Sequence, residues 1–161
     1  MTTATVTQTR AKAGKYLTFA LGKEEYGIEI LKVREIIGYM TITAVPQMPD
    51  YVKGIINLRG QVIPVVDLRS RFGMENKEIT DQSCIIVVDI HQSDRSFFAG
   101  LVVDHVQEVL NIEDGNIDDA PQFGTDVNTD FLLGIGKAGS AIKLLLDIDR
   151  VLEGMGTQMA D

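Results

Sequence analysis

Cys84, His91 and His105 are the chain's only cysteine and histidines, and such side chains ligate transition metals or build a thiol nucleophile. Their spacing suits neither use. No CxxC or HExxH pattern is present. Cys84 opens an apolar run, CIIVVDI, that fits packing better than an exposed, electropositive thiolate. The acidic stretch NIEDGNID at 111–118 suggests a calcium loop but lacks Asp at that motif's first position. GIGKAG at 134–139 matches GxGxxG. A dinucleotide site needs those glycines between a strand and a helix, and here they run into AIKLLLDI, a strand pattern. A small β-barrel enzyme or nucleotide-binding module using the turn from Gly134 to Gly139 is the alternative reading. Carboxylates are plentiful, but there is no Trp to build a sugar platform. The reading assigns no catalytic residue, no metal and no cofactor.

The exceptional chemistry sits in INLRGQVIPVVDLR, residues 56–69. Asn57, Arg59 and Gly60 predict a tight turn between two apolar strands, with one guanidinium at its tip. A guanidinium offers rigid, bidentate donors to a carboxylate or amide. Arg59 is therefore a recognition candidate.

The elements that would hold it are mostly strands, short β-branched runs bounded by Gly, Pro, Asn and Asp. Residues 16–21 and 25–28 flank Gly22-Lys23, a hairpin turn. In 29–37 the spacing of Ile30, Val33, Ile36 and Ile37 predicts a short amphipathic helix. Residues 42–45 predict a short strand, and 51–58 and 61–68 a hairpin in which Pro64 marks an edge or bulge. After a polar linker come strands over 84–90 and 96–103, and a helical turn over 104–110. Strands over 131–135 and 141–148 precede a last helical turn at 149–153.

The pattern repeats. DYVKGIINLRGQVIPVVDL (50–68) aligns without a gap to DFLLGIGKAGSAIKLLLDI (130–148), at an offset of 80. Upstream, GIEILKVREI (27–36) aligns to GLVVDHVQEV (100–109) at an offset of 73. Val33 meets Val106, Glu35 meets Glu108, and Arg59 meets Gly139. The turn therefore does not require an arginine for its shape. Two copies longer than a solenoid repeat read as two similar small β-barrels, each of about five strands with a helical connection.

The 161 residues, 45% hydrophobic and 24% charged, have the composition of a globular domain. No apolar run reaches the ~18 residues of a membrane span. A net charge of −8 argues against sequence-independent nucleic-acid binding. The charge is uneven: residues 81–161 hold 15 acidic and 4 basic side chains. One cysteine allows no internal disulfide, and TTATVTQTRAKAGK has no apolar signal core. Both point to the cytoplasm. Residues 1–14 and 154–161 read as flexible tails around a domain at 15–153. Its lobes span approximately 15–73 and 83–153, with strands free to exchange between them.

EEYGIEILKVREI (24–36), YVKGIINLRGQVIPVVDLR (51–69) and GLVVDHVQEVL (100–110) together resemble, in order and type, the CheW family of bacterial chemotaxis adaptors. The likeness covers about residues 15–152. It implies two SH3-like five-stranded barrels around a shared apolar core and a scaffold with no catalytic step. The implied partners are the regulatory domain of a CheA-type histidine kinase and the cytoplasmic hairpin tip of methyl-accepting receptors. Through the receptors, the adaptor would sit at the inner face of the membrane without entering it. By motif, the receptor-facing groove would take in Val33, Glu35, Arg59, Cys84, Val106 and Val109. Cys84 departs from the family's usual aliphatic residue. Lys53 is the candidate kinase contact.

Overall fold

The computed structural model describes residues 11–92, 95–118 and 129–153. Eleven strands and two single-turn helices are found among them: β1 (Gly14–Leu21), β2 (Glu24–Glu29), β3 (Val33–Gly38), β4 (Val52–Leu58), β5 (Gln61–Asp67), α1 (Leu68–Arg71), β6 (Cys84–Gln92), β7 (Arg95–Val103), β8 (His105–Ile112), β9 (Ile117–Asp118), β10 (Leu132–Ala138), β11 (Ala141–Leu146) and α2 (Ile148–Val151). One sheet has the order β8-β1-β2-β11-β10-β9, the other β3-β6-β7-β5-β4. The fold is mainly β, in two lobes.

The spans 15–73 and 83–153 exchange strands between the two sheets. Hairpin β1–β2 joins β8, β10 and β11, while hairpin β6–β7 joins β3, β4 and β5. Each half of the chain thus completes the sheet of the other. Two of the crossings are antiparallel, β1 with β8 and β3 with β6, and two are parallel, Val65↔Gly100 between β5 and β7 and Leu145↔Gly27 between β11 and β2. The offsets of 80 and 73 convert one parallel pairing into the other. The hairpins β4–β5 and β10–β11 also agree residue for residue, with Val52↔Val66 matching Leu132↔Leu146. Both carry a bulge two residues later. Asp67 and Asp147 cap α1 and α2 alike, each side chain accepting from a first-turn backbone N–H.

Both sheets curl until their edges meet. Thr43 exchanges two backbone hydrogen bonds of 2.9 Å with Ile55, and β9 pairs with β10 at Ile135, the equivalent of Ile55. In the second sheet, β1's counterpart β6 is buried on both faces: Ile85 and Val87 fill the barrel, while Ile86, Val88 and Ile90 enter the central core. In the first, Tyr16 faces the barrel with Ile112 and Leu145, while Leu17, Phe19 and Leu21 enter the same central core. Two barrels share the apolar layer between them.

Four local expectations are corrected. Residues 29–37 form no helix but a 3-10 turn, Ile30–Lys32, followed by β3. Half-buried and exposed residues alternate along VREIIG, and β-branched Val and Ile favour that extended backbone. HVQEVL, its counterpart, is strand β8 and not the helical turn predicted over 104–110. Residues 42–45 supply only the Thr43 bridge. Positions 11–14 are no tail: Ala11 is buried, and the Lys12 carbonyl accepts the Tyr16 hydroxyl at 2.6 Å. The remaining tail positions, 1–10 and 154–161, lie outside the described residues. Pro64 sits on an internal strand, opposite Ile55 and one residue before pairing with β7 begins. Because Ile55 turns its backbone groups to Thr43, the missing proline N–H costs no ladder bond.

Gly54 decides barrel closure. Its φ is 149°, and a Cβ there would lie 2.0 Å from the Thr43 carbonyl oxygen. Gly54→Ala is expected to destabilise the protein by about 3 kcal/mol or more, lowering the melting temperature by roughly 10 °C. A melting curve within about 2 °C of wild type would contradict this account of closure.

Candidate functional site

The β4–β5 turn is the two-residue kind, with Leu58 paired to Gln61. Arg59 and Gly60 take φ of 52° and 88°, the left-handed backbone such a hairpin needs. The Asn57 side-chain oxygen accepts the Gly60 N–H at 2.8 Å. Left-handed backbone costs a non-glycine residue about 1 kcal/mol. The second half places Gly139 here, at φ 62°. An arginine held where glycine is cheaper is retained for its side chain.

That side chain reaches Glu35. The Arg59 guanidinium donates to the Glu35 carboxylate, joining the hairpin to β3 at the far edge of the same sheet. The arginine side chain is 68% exposed and the glutamate half-buried. An exposed pair of this kind is worth at most about 1 kcal/mol, so its main effect is to fix the guanidinium's direction.

The other sequence-derived candidates divide. Val33 and Val106 are half-buried and pack against the central core, opposite Val88 and Phe19 in register. Cys84 also packs there; it opens β6, paired to Gly38 and Val103, and its thiol lies 3.3 Å from the Gln82 carbonyl. Val109 is 48% exposed on β8, opposite Leu17. Ile36, its equivalent on β3, is exposed as well. The sequence reading passed over it by placing it on a helix face, although the offset of 73 pairs it with Val109. Lys53 lies 3.9 Å from Asp67, at a polar recess of about 230 Å³ that Asp67, Arg69 and Asp104 also line.

The glycine motif at 134–139 is strand β10 and the β10–β11 turn, with no helix following it. That geometry is a hairpin and not the strand-to-helix turn on which a dinucleotide site is built. Cys84 and His91 stand near opposite ends of β6, and no cluster of three metal-ligating side chains is found among the described residues.

Sequence reasoning missed the strongest ion pair. Arg69 donates to Asp104 through Nε at 2.9 Å and Nη2 at 2.6 Å, and the Gly22 N–H donates to the same carboxylate at 2.7 Å. Both side chains are largely buried. The bidentate guanidinium, above all, holds the Asp104 carboxyl down at about 2. A charge match between residues 35 apart leaves no periodic signal, and DLR alone does not disclose its partner.

With this geometry described, similarity to known proteins becomes informative. The family model for the CheW-like domain matches residues 15–155. This chain belongs to the CheW-like family. It is 37% identical to the chemotaxis protein CheW of Klebsiella aerogenes over 147 residues, covering 91% of this chain and 86% of that one. It is 33% identical to that of Bacillus subtilis, covering 91% of each. The crystal structure of the scaffolding protein TtCheW from Thermoanaerobacter tengcongensis superposes with a TM-score of 0.80 at 36% identity, over 91% of this chain and 97% of that one. CheW-like proteins are coupling and scaffolding proteins, not enzymes. No helix among the described residues is long and apolar enough to cross a membrane.

The Asp104 carboxyl is depressed, so its contribution is complete above the unfolded value near 3.8 and is lost as pH falls toward 2. That contribution is about 2 kcal/mol. Asp104→Asn should cost about 3 kcal/mol at neutral pH, because Arg69 stays buried without its counter-ion. It should also flatten the loss of stability between about pH 4 and pH 2. Denaturant titrations at several pH values check both, and an unchanged acid limb in the variant would refute the assignment.

Proposed function

We propose that this chain is a non-catalytic chemotaxis adaptor that couples the cytoplasmic hairpin tip of methyl-accepting receptors to the regulatory domain of a CheA-type histidine kinase. The observation that carries the reading is Arg59. It occupies a backbone position where glycine would cost less, and its guanidinium is aimed by Glu35 into solvent beside apolar strands. Such a group serves recognition better than folding. Membership of the CheW-like family, and the names chemotaxis protein and scaffolding protein borne by its relatives, support the same role.

In this reading the receptor helices lie along the strands that carry Val33, Glu35, Val106 and Val109, with Arg59 at one end and Cys84 contributing from β6. Apolar residues beside a fixed charge suit a helix laid in a groove. Val109 offers exposed apolar surface, whereas Val33 and Val106 form its half-buried floor. The kinase takes a separate face, with Lys53 as its contact. Held by receptors, the adaptor works in the cytoplasm at the inner face of the membrane.

Purified receptor cytoplasmic fragment and kinase regulatory domain, each titrated against the protein, test the proposal. The wild type should bind both. Arg59→Gly removes the guanidinium and relieves the turn, so stability should stay within about 1 kcal/mol. Receptor affinity should fall about ten- to a hundredfold, the worth of one charged hydrogen bond, and kinase affinity should hold. Val109→Asp should likewise weaken the receptor alone without unfolding the protein. Failure of the wild type to bind either partner would overturn the reading.

A further inference from the structure

The two halves make the same hairpin and the same neighbouring strand but equip them differently. In one, Arg59 leaves the turn and meets Glu35. In the other, Ala138 pairs with Ala141 around a turn with Gly139 at φ 62°, and a Cβ built on that glycine would meet nothing within 4 Å. The carboxylate has been kept where the cation has not: Glu108 stands at the place of Glu35.

Glu108 is exposed, and its backbone is held firmly. The Thr18 hydroxyl donates to the Glu108 carbonyl at 2.7 Å and lies 3.2 Å from the Glu108 N–H that it accepts. Among the described residues, the Glu108 carboxylate has no hydrogen bond or ion pair. The cation that β10 does carry, Lys137, is engaged at 3.1 Å by Asp118. Val109, the next residue on β8, and Ile142 on β11 are 48% and 58% exposed. The site is an unpartnered, exposed carboxylate on a firmly held stretch of backbone, with its symmetry-related counter-ion deleted and exposed apolar residues on the same strand and on β11. The half of the chain that holds it has 15 acidic and 4 basic residues.

We propose that Glu108 receives an arginine or lysine from the receptor hairpin, which takes the place that Arg59 occupies in the other barrel. This rests on the adaptor reading and extends it. Glu108 lies between Val106 and Val109 on the strand assigned to the receptor, so the receptor and not the kinase supplies the cation. The two ends of the groove then have opposite polarity. Arg59 offers donors at one barrel and Glu108 accepts at the other, which gives a docked helical hairpin a single orientation.

The test uses the full chain, a purified receptor cytoplasmic fragment and the purified kinase regulatory domain. Affinities are measured at about 50 mM and about 300 mM salt, spanning weak and strong screening. Glu108→Gln should melt like wild type, because the residue is exposed. It should weaken receptor binding about three- to tenfold at low salt and make the salt dependence shallower. Glu108→Lys should weaken it further. Gly139→Arg, which supplies the cation from within the chain, should also weaken the receptor. Kinase affinity should stay within about twofold in all three. If the wild type binds the receptor and both Glu108 variants bind it equally well, the inference is wrong while the adaptor reading stands. Loss of kinase binding with the receptor retained also overturns it. A wild type that binds neither protein overturns both.

Discussion

Four pairings between the two halves of the chain hold this molecule together: the parallel β5–β7 and β11–β2, and the antiparallel β1–β8 and β3–β6. Each is the point where one half of the chain enters the sheet of the other. Without them every half would leave a strand edge open, and open edges invite pairing with other chains. The connectors explain why the chain crosses over. β2 passes to β3 through only three residues, Ile30–Lys32, and β7 passes to β8 through Asp104 alone. So short a link cannot carry a strand back to the far side of its own sheet. The next strand therefore continues into the other barrel, and the central core closes over the crossing.

The ties across this crossing start from equivalent helix positions with opposite signs and end in the corresponding connectors. Arg69 follows α1's first residue and grips Asp104 in the β7–β8 connector. Asp149, its equivalent in α2, binds Lys32 in the β2–β3 connector at 2.8 Å and accepts the His91 N–H at 2.8 Å. Arg71 adds a third link, stacking over Tyr51 and Phe131 while donating to the Val151 carbonyl. The barrel interiors diverge in the same way. Lys143, 5% exposed, pairs with Glu25, which also accepts from Gln107. At the corresponding positions of the other barrel stand Ile63, Phe98 and Arg34, the guanidinium 5.0 Å from the Phe98 ring centre. One barrel is plugged by ion pairing and the other by an aromatic ring, so a buried lysine finds its carboxylate only in the right barrel.

The fold was legible in the sequence wherever local pattern and tertiary demand agreed. Gly22-Lys23, Arg59-Gly60 and the gapless 80-residue offset located hairpins that the structure contains. Legibility failed on β3 and β8. There Ile30, Val33, Ile36 and Ile37 imitate a helical stripe, because Ile36 is an exposed apolar residue on a strand. Exposed hydrophobics mislead any periodicity argument that equates apolar with buried. Strand exchange between the lobes was allowed for, but not which strands exchange, since internal similarity identifies equivalent strands without saying which copy they pair with. At the site, Arg59 and Glu35 could be nominated singly, but their contact depends on barrel closure, which brings opposite sheet edges together. Arg69 and Asp104 meet across the two halves and leave no local trace.

Internal symmetry also supplies a physical control that a single barrel would lack. Where both copies keep a residue that bonds the backbone, as with the capping aspartates Asp67 and Asp147, the fold itself requires it. Where they differ without changing the backbone, the side chain answers to something else. Asp104 faces Leu31 in the alignment, and the structure accounts for the difference through Arg69, a partner inside the fold. Arg59 faces Gly139 over an unchanged turn, and its contact with Glu35 is too exposed to matter much for stability. Folding explains the first difference and leaves the second over. A guanidinium that the fold does not need, held in backbone that disfavours it, is the difference that the proposed receptor contact would account for.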